Sequence, residues 1–97
     1  MKPHRANPRD ANEPELLTVA RALGAQWLEQ GPLDGWIWWR GTWIPVEIKL
    51  PEREGTAYEY TPAQRRFFSW CQQRNARWLT WRTTADVIRD LNGKASA

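Results

Sequence analysis

Apolar positions recur along this chain at two periods, one of helices and one of strands, and the two alternate. Leu16, Val19, Ala20 and Leu23 stand three and four apart, the spacing of one helix face. Asn12 ahead of them is a favoured N-cap, Pro14 is tolerated in a first turn, and Gly24 suits a left-handed C-cap. A short strand is predicted over 25–29, ended by Gly31-Pro32. Two stronger strands follow over 34–40 and 43–50, rich in Trp, Ile and Val. Gly41-Thr42 between them is short enough for a two-residue hairpin turn. Residues 51–60 carry no clear pattern. Gln64, Phe67, Phe68 and Cys71 make one stripe of a second helix over 62–74, with Thr61 as its cap and Pro62 at its first position. Residues 77–81 predict a fourth strand, and Thr83-x-x-Asp86 is a capping box opening a last helix that ends near Leu91. The order is αβββαβα, an α/β sandwich. Helices on both sides of the sheet would explain why 36–39 and 44–50 are apolar on both alternating faces.

Composition narrows the class. The chain has 97 residues, 41% apolar and 26% charged, enough for one globular domain. Residues 1–11 predict a flexible basic arm, 12–92 a single domain, and 93–97 a frayed tail. No apolar run approaches the roughly 18–20 residues of a membrane span, and the N-terminus lacks the apolar stretch of a signal peptide. These features point to the cytoplasm. Cys71 is alone and reads as a buried thiol in a reducing compartment; with His4 the single histidine, a Cys/His zinc cluster is ruled out. Any metal must then be held by carboxylates, which favours Mg2+ or Mn2+. The net charge of +3 comes mostly from arginine, eleven against three lysines. The planar guanidinium fork suits phosphate, so the charge favours a nucleic-acid partner weakly.

The hairpin brings candidate chemistry together. If Gly41-Thr42 pairs Arg40 with Trp43, antiparallel register sets Asp34 opposite Lys49 and Trp36 opposite Glu47. Asp34, Glu47 and Lys49 then share one face, with the two acids diagonal neighbours roughly 7–8 Å apart at the Cα level. Two carboxylates at that distance can converge on one cation. A three-residue loop would flip the parity and remove the argument. Glu47 and Lys49 also interrupt a strand otherwise apolar enough for burial, where charges must be paired or bind an ion. The competing reading is an ordinary Glu/Lys pair on a solvated edge strand. Glu15 and Gln64 are ambiguous too. Each stands three residues after a polar cap and can close a capping box, and each is in line with apolar residues pointing toward the core.

Taken together, Asp10-Ala11-Asn12-x-x-Glu15, Gly31-x-x-Asp34, Val46-Glu47-Ile48-Lys49 and Tyr60-Thr61-Pro62-x-Gln64, followed by a terminal β-α unit, resemble the PD-(D/E)XK nuclease superfamily. The resemblance is narrower still to the small stand-alone VRR-NUC-type nucleases of phages and bacteria, and runs from about Asp10 to Leu91. It departs in having Leu33 between Pro32 and Asp34, and tryptophans where the strand after the Asp is usually aliphatic. The resemblance implies a restriction-endonuclease-like sandwich with a mixed sheet flanked by helices. It implies a metal-dependent DNA endonuclease acting in the cytoplasm of a bacterium or phage-infected cell. Asp34 and Glu47 would bind Mg2+ or Mn2+ with the backbone carbonyl of Ile48. Glu15 would reach a second metal or its water, and Gln64 would sit at the edge of the catalytic site. Lys49 would lie beside the attacking water; its ammonium is favoured next to two carboxylates, so water positioning suits it better than the role of base. A catalytically silent DNA-binding module of the same fold is the alternative.

The eight tryptophans fit either of two roles. They can fill a core or an oligomer interface, or they can stack on exposed bases. Small size and surplus aromatics suggest a homodimer, whose two-fold axis would suit a symmetric branched DNA such as a Holliday junction. Arg5, Arg9, Arg65, Arg66, Arg74, Arg77 and Arg82 are the candidate phosphate contacts.

Overall fold

The computed structural model describes residues 11–31, 33–57 and 59–92. The tail over 93–97 and all but Ala11 of the basic arm lie outside them. The element order is α1 (Glu13–Ala22), β1 (Gln26–Leu28), β2 (Gly35–Trp39), β3 (Thr42–Ile48), α2 (Pro62–Gln73), β4 (Leu79–Trp81) and α3 (Thr84–Leu91). A single 3-10 turn, Pro51–Arg53, occupies the stretch whose sequence has no pattern. The four strands make one mixed sheet in the order β1-β2-β3-β4, with β1, β2 and β3 antiparallel and β4 parallel to β3. This is an α/β fold with helices on both faces of the sheet.

Alternation sorts the two faces. Ile37 and Trp39 of β2, Ile44, Val46 and Ile48 of β3, and Leu79 and Trp81 of β4 point one way and are buried. They meet Leu16, Leu17 and Ala20 of α1 and Val87 and Leu91 of α3 in the main core. The other face carries Leu28, Trp36, Trp38, Trp43, Pro45 and Glu47, and α2 covers part of it. The expectation that both faces are apolar because both are buried holds from Ile44 to Ile48. It fails toward the hairpin, where Trp38 and Trp43 are exposed.

The turn corrects the predicted register. Trp39 pairs with Thr42, so the two turn residues are Arg40 and Gly41, not Gly41-Thr42. Arg40 has φ 53° and Gly41 φ 80°. A two-residue type I′ turn needs positive φ at both central residues, and β-branched Thr42 resists it more than Arg40 does. Arg40 also lays its guanidinium over the Trp39 ring at 4.4 Å. The register slips by two residues, which preserves which side chains share a face.

Candidate metal and catalytic centre

Continuing the observed pairing one step past Gly35↔Val46 sets Asp34 directly across from Glu47, not diagonal to it. The two residues brace each other through the backbone. Glu47 Oε1 accepts the Asp34 N–H at 3.1 Å, and Asp34 Oδ2 accepts the Ile48 N–H at 2.8 Å. Gly35 beside Asp34 is packed so closely that an added Cβ would stand 2.5 Å from the Trp27 ring and 2.7 Å from the Leu28 carbonyl oxygen. A larger residue there would push the acid out of line.

Lys49 and Gln64 close the site from the sides. Lys49 Nζ stands 3.2 Å from Glu47 Oε2 and donates to Gln64 Oε1 at 3.0 Å. Gln64 Nε2 donates to Glu47 Oε2 at 2.7 Å. The same Gln64 completes a capping box with Thr61, accepting the Thr61 N–H at 3.0 Å. The two readings of Gln64 are therefore one: the helix cap is what fixes its amide against Glu47 and Lys49. The Tyr60 ring lies 5.2 Å from Lys49 Nζ, and its hydroxyl bonds Thr80 on the neighbouring strand at 3.1 Å.

Electrostatics set Glu47 apart. It is 3% exposed. Burial, and then the negative charge of Asp34, push its carboxyl up from the ordinary 4.5 to about 7, against the pull of the Lys49 ammonium. Lys49 thus offsets only part of what burial and Asp34 do to Glu47. An oxygen-only pair suits a hard divalent cation, whose charge would favour the ionised form of Glu47. Glu47 Oε1 keeps a lone pair beyond its bond from Asp34. The Ile48 N–H is turned toward Asp34, and the carbonyl of the same residue in a strand points to that side too. Among the described residues no group of three or more His, Cys, Asp or Glu is placed to hold a metal. A cation on this pair would complete its shell with carbonyl and water, as Mg2+ commonly does.

Glu15 is exposed on α1, and the buried acid of that helix is Glu13, 6% exposed. The inward face runs Glu13, Leu16, Leu17 and Ala20, a spacing already present in the sequence. Asn12 does not cap α1 either. Its backbone is helical at φ −82° and ψ −7°, and its amide instead donates to the carbonyls of Lys49 and Arg82 at 3.0 and 2.8 Å. It ties the start of α1 to the ends of β3 and β4, beside Lys49.

The arginines divide. Arg82 turns inward, donating to buried Glu59 at 2.7 Å and to the Tyr60 hydroxyl at 3.2 Å. Burial pushes the Glu59 carboxyl upward, but Arg82 and the Gly55 N–H outweigh it and hold Glu59 below its ordinary value. Arg82 therefore braces the loop that carries Tyr60. Arg65, Arg66, Arg74 and Arg77 are exposed, while Arg5 and Arg9 lie outside the described residues. Cys71 is buried, as its sequence context suggests. Tyr60, Asn12 and Glu13 are the residues whose placement the sequence pattern did not signal, apart from the Glu13 spacing. Comparison of the chain with family models, with curated proteins and with solved structures found no match.

Proposed function

We propose that this chain is a divalent-metal-dependent DNA endonuclease of the PD-(D/E)XK kind, with a restriction-endonuclease-like sandwich and a preference for branched DNA such as Holliday junctions or flaps. The observation that carries this reading is the cross-braced acid pair, Asp34 and Glu47, with Lys49 fixed beside it by Gln64. Mg2+ or Mn2+ bound by that pair, with the Ile48 carbonyl, would lower the pKa of a water and polarise a phosphoryl oxygen. The chain's own contribution is positioning. Gln64 orients the Lys49 ammonium, which is set to hold a nucleophile and to stabilise charge growing on the phosphate. A homodimer would set two such sites about a two-fold axis.

The second reading, a DNA-binding module without catalysis, is favoured by one observation. Glu47 Oε2 already has two internal partners, Lys49 and Gln64, as a purely structural buried acid would. Incubation with a four-way junction, a flap and plain duplex, in Mg2+, Mn2+ or EDTA, separates the two. The endonuclease cuts the branched substrates only with metal and loses cutting in Glu47→Ala and Lys49→Ala. Binding of all substrates with no cutting in any metal would leave the silent module.

A further inference from the structure

The sheet face that holds the acid pair continues toward the hairpin as an aromatic surface. Steps of two residues along β2 and β3 lead from Asp34 and Glu47, past Trp36 and Pro45, to Trp38 and Trp43. The distance from Glu47 to Trp43 along the strand is roughly 13 Å. Helix α2 covers the acid end through Gln64 but leaves the hairpin end open. Trp38 is 37% exposed, Trp43 48% and Trp70 49%.

Hollows flank these rings. A groove of about 350 Å³ runs between hairpin and helix, walled by Trp36, Trp43, Phe67, Trp70 and Arg77. A second, of about 320 Å³, lies against Trp36 and Trp43 beside Leu28 and Gly31. Trp36 and Trp43 thus form a ridge shared by both. Phe67 and Trp70 are stacked, with ring planes 12° apart.

The charge on the helix side of this surface has one sign. From Tyr60 to Ala85 the chain carries five arginines and no acid. Arg77 lines the groove, Arg66 lines a third hollow against Phe67 and Trp70, and Arg74 lies over the Trp70 ring at 4.2 Å. A second copy of the chain packed here about a two-fold axis would bring arginine against arginine, which opposes association. A polyanion with flat, exposed rings matches both the charge and the shape. A duplex hides its base faces, whereas unpaired bases present them.

We propose that the Trp36–Trp43–Trp70 surface is a stacking platform for unpaired bases of a single DNA strand, whose phosphates lie along Arg66, Arg74 and Arg77. As a substrate class this rests on the endonuclease reading: the strand delivered to Asp34 and Glu47 is the single-stranded part of a branched DNA. Binding to the platform needs no metal and no catalysis.

The test measures anisotropy of fluorescein-labelled oligo-dT with the full chain in EDTA, against duplex of equal length. Sedimentation gives the oligomeric state. Trp43→Ala and Trp70→Ala remove side chains about half in solvent, and Trp43→Phe keeps an aromatic face. Oligo-dT is expected to bind more tightly than duplex. Each alanine variant is expected to weaken it about 5- to 150-fold, the worth of one stacked base, with Trp43→Phe within a few-fold of wild type. Duplex bound as tightly as oligo-dT, or wild-type affinity in both alanine variants, would overturn the platform. So would a wild-type dimer that Trp43→Ala splits, since the surface would then be a self-interface. Metal-dependent cutting alongside any of these results sinks the platform alone. Tryptophan-dependent oligo-dT binding with no cutting in any metal sinks the endonuclease reading alone.

Discussion

Asp34 and Glu47 hold each other across the hairpin, the Asp34 N–H bonding Glu47 Oε1 at 3.1 Å while the Asp34 carboxylate takes the next N–H along from Glu47, that of Ile48. Each acid is fixed by backbone groups of the opposite strand. Neither can swing away without breaking a bond that positions its partner. Such bracing presents two carboxylates together before any ligand arrives.

The first prediction concerns pH. Because the Glu47 carboxyl is raised to about 7, the folded chain holds a proton that the unfolded chain has lost between pH 4.5 and about 7. Stability therefore falls as pH rises through that window, by on the order of 3 kcal/mol from this group. Urea unfolding at about pH 5 and about pH 8 checks it. Glu47→Gln is expected to lack this part of the difference. Mn2+ at the higher pH is expected to stabilise wild type and not the variant.

The second concerns Gln64. Gln64→Ala removes a helix-cap partner and the bonds to Glu47 and Lys49 together. A loss of about 1–3 kcal/mol in urea unfolding is expected. Cutting under saturating DNA is expected to fall about 10- to 100-fold, as for partners that orient a ligand shell.

Much of the site's neighbourhood was legible in the sequence, for particular reasons. Thr61 and Thr83 each stand three residues before a side chain able to close a capping box, and both boxes form. Parity alone puts Asp34 and Glu47 on one face, so the two-residue slip of the register leaves that unchanged. The turn departs from the Gly-Thr expectation because Arg40 adopts positive φ, which sequence pattern alone disfavours. Asn12 departs from the cap expectation because its amide bonds distant carbonyls, which in sequence looks the same as a cap. Glu59, Tyr60 and Arg82 meet only through tertiary packing of an irregular loop against β4, which no local period encodes.

A third prediction follows from the crowding at Gly35. Gly35→Ala drives a methyl into the Trp27 ring and the Leu28 carbonyl. The expected cost is about 1–3 kcal/mol of overpacking, read by thermal or urea unfolding, with metal-dependent activity reduced because Asp34 moves.

The arginines give a fourth. Arg66→Ala and Arg77→Ala are each expected to lower the slope of log affinity for DNA against log salt by about 0.7–0.9, with stability unchanged. Arg82→Ala leaves buried Glu59 without its guanidinium and is expected to lose about 2–4 kcal/mol of stability. Its salt slope stays that of wild type.

Cutting of a labelled four-way junction in Mn2+, by wild type and by Glu47→Gln of matched fold, tests the central claim most directly. The account predicts cutting by wild type that EDTA abolishes, and a rate about 10²–10⁴-fold lower in Glu47→Gln. Cutting by Glu47→Gln at the wild-type rate, or cutting by wild type that persists in EDTA, would contradict it.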